Sequence, residues 1–191
     1  MASERVIVVG GGGFVGLTLA LALRQGLGNA NRFVVADPAL ANKPSRDPRA
    51  SAIIAAGKNL FEALGVWDQV AANAQPILDM IVTDSRLDDV VRPTFLTFAG
   101  SAGGTQPAAD GAPVQPFAHM IENRHLIDAL VERAGEGSIE LKACAVSGFT
   151  TTAEGIAVEF SDGTTITADL LVAADGAKSA LRERAGIPFY G

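Results

Sequence analysis

Four consecutive glycines, Gly10 to Gly13, interrupt the apolar opening of this chain, and the stretch VIVVGGGGFVG contains the spacing Gly11-x-Gly13-x-x-Gly16. That spacing suits a strand that turns sharply into a helix over a diphosphate. The first glycine permits the tight turn, the second lets the backbone approach a pyrophosphate, and the third lets helix and strand pack closely. Phe14 and Val15 stand between the second and third glycines and would open the helix. The free N–H groups and positive dipole end there attract phosphate. Such a motif calls for an acid about twenty residues on. Asp37 ends the next strand pattern, 21 residues beyond Gly16. Its carboxylate can accept both ribose hydroxyls, and it disfavours a 2′-phosphate.

A second candidate lies near the other end, in VAADGAKSALR (residues 172–182), where Asp175-Gly176 stands between an apolar strand and a new helix. Two other Asp-Gly pairs, Asp110-Gly111 and Asp162-Gly163, sit in turn contexts and are read as turns. His119 and His125 have no carboxylate or cysteine at ligand spacing, so no metal site is expected. Ser179 lacks the G-x-S-x-G elbow of a hydrolase nucleophile. Trp67 follows a helix stop and is read as core. Cys144, the one cysteine, lies in a strand pattern and is read as buried and inert. No side chain is singled out as a general acid, base or nucleophile.

The elements that must hold these residues follow from periodicity. Arg5–Val9 reads as a buried parallel strand, Phe14–Leu27 as a helix and Arg32–Ala36 as a second buried strand. After a loop with three prolines, Arg49–Leu64 carries apolar residues at helical spacing, with Gly65 as its stop. Ile77–Thr83 and Thr94–Phe98 read as strands, and Gly100–Pro116 as a low-complexity, mobile loop. Asn123 caps a helix through Arg133. Then come strands at Ser138–Ala145, Val146–Thr152, Ile156–Phe160, Thr164–Ala168 and Asp169–Ala174, and a short helix at Ala177–Ala185. The fold class is α/β, a Rossmann-like nucleotide-binding parallel sheet with an antiparallel β-meander and a second layer of sheet. The family resemblance given below implies that this is an FAD/NAD(P)-binding domain with part of a second, mixed-sheet substrate domain. The expected organisation is 1–76 and 122–191 for nucleotide binding, with 77–121 belonging to the substrate domain.

Composition narrows the class. Of 191 residues 48% are hydrophobic and 19% charged, which is globular and not disordered. A net charge of -6 without a basic cluster excludes a nucleic-acid partner. A single cysteine gives no disulfide framework, and the start lacks signal-peptide order. A cytoplasmic protein is expected. The glycine fingerprint by itself does not separate NAD from FAD. The proline-rich loop, the Arg-led segment after it and the antiparallel strands favour FAD over a further βαβ repeat.

Four stretches carry a family resemblance. DPRASAIIAAGKNLFEALGVWDQV, AQPILDMIVTDSR and ADLLVAADGAKSALRERAGI, together with the glycine loop, resemble the aromatic-ring (class A) FAD-dependent monooxygenases. They are most similar to the branch that hydroxylates polyprenylphenols in ubiquinone biosynthesis, and the likeness runs from Val6 to Ile187. The resemblance implies FAD as cofactor, NAD(P)H as co-substrate, and a polyprenylphenol as substrate. It also implies association with the inner membrane surface or with a biosynthetic complex. It implies that Arg49 points its guanidinium at the FAD pyrophosphate or the flavin edge, and that Arg124 matches a position that often contacts the cofactor. Asp175 and Gly176 would lie near the flavin's ribose and pyrophosphate, with Arg182 holding the loop or meeting a phosphate. Family members run to roughly twice this length and carry a Gly-Asp motif that these 191 residues lack, so an N-terminal part of a longer protein is expected. Two other classes stay open: a reductase of the same fold that is not an oxygenase, such as a prenyl reductase, and a non-catalytic nucleotide-fold module.

Overall fold

The computed structural model describes residues 4–42, 44–99 and 116–190. The chain divides into two compact units, Met1–Asp47 with Leu126–Gly191, and Pro48–His125.

The first unit is built on a four-stranded parallel sheet. Its strands are β1 (Val6–Gly10), β2 (Arg32–Ala36), β8 (Glu140–Lys142) and β12 (Leu170–Ala173), in the order β12-β1-β2-β8. β1 and β2 are runs of valine, isoleucine and phenylalanine whose side chains are buried on both faces, as in a parallel sheet with both faces covered. Between them runs α1 (Phe14–Leu27), which buries Leu17, Ala20 and Leu21. Arg24 on α1 donates from Nε to the Gly137 carbonyl at 2.8 Å, next to the end of α4 (Asn123–Glu136). In α4 Leu126, Leu130 and Ala134 recur at helical spacing and are buried. A three-stranded antiparallel meander, β9 (Val146–Thr152), β10 (Gly155–Phe160) and β11 (Thr165–Ala168), completes the unit with α5 (Ala180–Arg184). Val158, Phe160 and Ala168 of the meander share one buried cluster with Val8, Val34, Ala36 and Cys144. Burial raises the Cys144 thiol pKa, which keeps it in its unreactive form.

The second unit holds the antiparallel sheet β3 (Ala50–Ile54), β7 (Ala118–Glu122) and β4 (Gln75–Ile77), in the order β3-β7-β4. It also holds the two-stranded ribbon of β5 (Asp79–Thr83) and β6 (Thr94–Ala99) and the helices α2 (Ala55–Ala63) and α3 (Trp67–Val70). Trp67 is buried and meets His119 edge-on at 5.1 Å between ring centroids. The Lys58 ammonium lies 5.3 Å from the Trp67 centroid.

The fold is mixed α/β with a parallel sheet and antiparallel sheets, as the sequence implies. Several elements are corrected, among them the strand expected over Ile77–Thr83, which is divided between β4 and β5. The helix expected over Arg49–Leu64 begins only at Ala55, and Ala50–Ile54 is a strand. Ile53 and Ile54 fit a helical template, but β-branched residues just after Pro48 suit an extended chain equally, and antiparallel pairing of Ser51 with Ile121 decides it. β7 and α3 have no counterpart in the sequence reading. The strand expected over Ser138–Ala145 shrinks to Glu140–Lys142, and the helix expected over Ala177–Ala185 to Ala180–Arg184. The Gly100–Pro116 loop and the Asp110-Gly111 pair lie outside the described residues, apart from Pro116.

Candidate functional site

The C-terminal ends of β12, β1 and β2 lie side by side, and each carries part of the candidate site. At the end of β1 the three motif glycines do three different things. Gly11 has φ +123°, and a Cβ placed on it would stand 2.2 Å from the Ala174 carbonyl oxygen, so both conformation and space require glycine. A Cβ on Gly16 would stand 1.8 Å from the Gly11 carbonyl oxygen, so helix and turn are packed as closely as backbone allows. Gly13 is the opposite: it is exposed, and a Cβ there would meet nothing within 4 Å. The open space lies at the mouth of α1, which starts without a side-chain cap and without an acidic residue in its first turn. The N–H groups of Phe14, Val15 and Gly16 have no acceptor among the described residues. Phe14 is half-buried and Val15 exposed. An uncapped helix start beside a gap over glycine is an anion cradle.

Asp37, at the end of β2, faces the same turn. Its Oδ2 accepts from Gly12 N at 2.7 Å and its Oδ1 from Ala39 N at 2.8 Å. These bonds fix the carboxylate beside the glycine loop and leave each oxygen a further lone pair for a ribose hydroxyl. Beside them opens a cleft of about 390 Å³. Gly12, Gly13 and Asp37 form one side, Leu40, Ser45 and Arg46 the loop side, and Ile127, Asp128 and Val131 of α4 the third. The lining combines polar groups with the apolar side chains of Leu40, Ile127 and Val131, which suits a nucleotide.

The end of β12 interlocks with the glycine turn: Ala174 N donates to Gly10 O at 2.7 Å. Asp175 Oδ1 accepts from the Ser179 hydroxyl, and its Oδ2 from Leu181 N at 3.2 Å. Ser179 in turn accepts from Arg182 N at 3.0 Å and caps α5. Partial burial opposes the charge on Asp175, but these hydrogen bonds outweigh it and hold the carboxyl below its usual range. Gly176 adopts φ +92°, and Arg182 holds the loop by donating to Ala177 O at 3.1 Å. Gly11, Asp37 and Asp175 also line one shared recess of about 290 Å³.

Gly11, Gly13, Phe14, Val15, Gly16, Asp37, Asp175 and Gly176 therefore come together in the first unit. Arg49 and Arg124 belong to the second. There, Ala50 pairs with Glu122 and Asn123 N donates to Arg49 O at 2.7 Å, so the two arginines flank one end of the β3–β7 pair. Arg124 Nε lies 2.6 Å from Glu122 Oε2, and Asn123 Oδ1 accepts from the Ser51 hydroxyl.

The sequence reading missed Gly12, Ser45 and Asp128. Gly12 could have been found as the third glycine of the run: a Cβ there would stand 2.8 Å from the Asp37 Cβ. Ser45 and Asp128 carry no local signal, because their contact joins residues far apart in the chain.

A family model described as FAD binding domain matches residues 3–191. The ubiquinone hydroxylase UbiL of Rhodospirillum rubrum is 34% identical over 183 residues, which is 95% of this chain and 39% of the relative. The aurachin C monooxygenase/isomerase of Stigmatella aurantiaca is 32% identical, covering 95% of this chain and 43% of that protein. The mitochondrial ubiquinone biosynthesis monooxygenase COQ6 of Drosophila melanogaster is 27% identical, covering 96% and 38%. Among solved structures, the flavin-dependent monooxygenase PieE in complex with FAD and substrate superposes with a TM-score of 0.73 at 23% identity, over 98% of this chain and 33% of that one. The chain spans about two-fifths of the length of the curated relatives it matches. The match over residues 3–191 shows that the chain belongs to the FAD-binding domain family.

Proposed function

We propose that this chain is the FAD-holding part of a monooxygenase that uses NAD(P)H and dioxygen to hydroxylate a polyprenylphenol in ubiquinone biosynthesis. The observation that carries the reading is the contrast among the motif glycines: Gly11 and Gly16 have no room for a methyl group, while Gly13 faces empty space at an uncapped helix start. A fold that merely needed a tight turn would have no reason to keep the middle position open. The likeness to UbiL and COQ6 supplies the substrate class.

FAD, when bound, supplies the chemistry itself, taking hydride from NAD(P)H and delivering oxygen to an electron-rich ring. The residues of this chain bind and orient. The N–H groups of Phe14, Val15 and Gly16 receive the pyrophosphate, Gly13 admits it, Gly11 makes the turn, and Asp37 accepts the ribose hydroxyls. Asp175 holds the start of α5 so that Gly176 and the backbone before it present a fixed edge to the cofactor. By the family resemblance Arg49 is assigned to the FAD pyrophosphate or the flavin edge, and Arg124 to a position that contacts the cofactor. We place the protein at a membrane surface for its prenylated substrate. No helix among the described residues is long and apolar enough to cross a membrane.

The test has two stages. The chain is titrated with FAD and with NAD, following flavin fluorescence and thermal stability, with Asp37→Ala as control. Selective FAD binding that the variant loses supports the cofactor reading, and equal or preferred NAD binding overturns it. A protein of the relatives' length is then given NAD(P)H and a prenylated phenol. Oxygen uptake matched to hydroxylated product supports the oxygenase. Hydride consumption without oxygen uptake points instead to a reductase.

A further inference from the structure

We infer that Asp128 is a positioning residue that latches the 44–47 loop across the nucleotide cleft by accepting a hydrogen bond from Ser45. The inference rests on the nucleotide reading of that cleft. Asp128 sits on α4 with its side chain half-buried, and its Oδ1 accepts from Ser45 N at 2.8 Å, a contact between residues 83 apart in sequence. Leu40, Ser45 and Arg46 on the loop, and Ile127 and Asp128 on the helix, line the same cleft as Gly12 and Gly13.

The residue type makes the placement informative. A carboxylate lining a cleft meant for a diphosphate repels the ligand, so on charge alone Asp128 works against binding. What it gives is an acceptor for a loop N–H that has left regular secondary structure: beyond the 3-10 turn at Pro38–Ala41, residues 44–49 form neither helix nor strand. Ser45 Oγ accepts from Asp47 N at 3.4 Å, so fixing Ser45 also steadies the two residues after it. The latch thereby sets the distance between the loop wall and the glycine wall, and preorganises the cleft for a ligand of fixed width.

Charge and latch predict opposite signs, which makes the inference testable. ADP is titrated into the wild type, Asp128→Asn and Asp128→Ala, with melting temperatures measured to show that each is folded. Asparagine keeps an acceptor for Ser45 and removes the repulsion, so Asp128→Asn binds ADP at least as tightly as wild type. Alanine removes the latch, so Asp128→Ala binds about five-fold more weakly, the loss expected for one hydrogen bond. Trypsin gives a readout that needs no ligand. Cleavage after Arg46 quickens several-fold in Asp128→Ala, and Asp128→Asn restores the wild-type rate. If Asp128→Ala binds ADP as tightly as wild type or more tightly, the latch is overturned and the nucleotide reading stands. If the wild type binds neither ADP nor FAD, the nucleotide reading falls and takes the latch with it.

Discussion

Adding one methyl group at Gly13 and, separately, at Gly16 separates ligand binding from folding within a single loop. The Gly16 methyl would stand 1.8 Å from a backbone oxygen and 3.3 Å from the Val9 side chain, and a backbone neighbour cannot swing away as a flexible side chain can. Overpacking of this kind costs about 1–3 kcal/mol or more. For a chain of this size each kcal/mol lowers the melting temperature by roughly 2–4 °C, so Gly16→Ala should lose about 5 °C or more. Gly13 has extended backbone, φ −82° and ψ −171°, and no heavy atom within 4 Å of the added carbon. Alanine there loses a little as a helix N-cap. It regains about 0.4–1 kcal/mol by restricting the unfolded chain. Gly13→Ala should therefore melt within about 3 °C of wild type. The same methyl fills the space a phosphate needs, and FAD affinity should fall at least about ten-fold, the equivalent of 1.4 kcal/mol. Differential scanning fluorimetry and a flavin fluorescence titration on both variants decide it. If Gly13→Ala keeps wild-type FAD affinity, or melts as low as Gly16→Ala, then Gly13 is a folding glycine and the cradle argument fails.

Other perturbations follow from single contacts. Asp37→Ala frees the Gly12 and Ala39 N–H groups and should cost about 1–3 kcal/mol in urea unfolding, with loss of FAD binding. Asp175→Ala removes the acceptor shared by Ser179 and Leu181 and should cost about 1 kcal/mol, in the range of other lost helix caps. Because the folded carboxyl of Asp175 titrates below its ordinary value of 3.8, its contribution is present above that pH and lost as pH falls through the lower folded value. Urea midpoints of wild type and Asp175→Asn should accordingly converge under acid. His119 is held below its ordinary pKa of 6.5 by burial and by the nearby Lys58 charge, and its Nδ1 is buried without a hydrogen-bond partner among the described residues. The unfolded chain therefore takes up the proton first, so stability should decline as pH drops below about 6.5, and His119→Phe should flatten that decline.

Where the sequence speaks through long, unambiguous patterns the structure agrees with it closely. The alternation of Leu and Ala after Phe14 gives α1 at Phe14–Leu27, and the β-branched run gives β2 at Arg32–Ala36. Short apolar segments are harder: ASAII satisfies a helical template as well as a strand, and only its pairing with β7, itself without a strong pattern, settles the matter. The site divides along the same line. Glycine spacing and an acid at the right distance are local facts, and they point at Gly11, Gly13, Gly16 and Asp37 directly. The Ser45–Asp128 contact is a tertiary fact between a loop and a helix, and neither residue's neighbours advertise it.

Sheet order explains why residues from such distant parts of the chain meet at one edge. β1 lies between β12 and β2, all three parallel, so residues 10, 36 and 173 end their strands at one edge. The junctions are then tightened by backbone and not by side chains: Gly11 N donates to Ala36 O on one side, and Ala174 N donates to Gly10 O on the other. Asp175 fits this pattern, since both carboxylate oxygens are engaged by its own helix start, which leaves the backbone around it as the surface offered to a ligand. A Cβ at Gly11 would strike Ala174 and break that junction, whereas one at Gly13 would strike only what the cleft is meant to hold. Within one motif, then, Gly11 keeps the strand ends together, Gly16 keeps the helix against the turn, and Gly13 keeps a place open at the helix start.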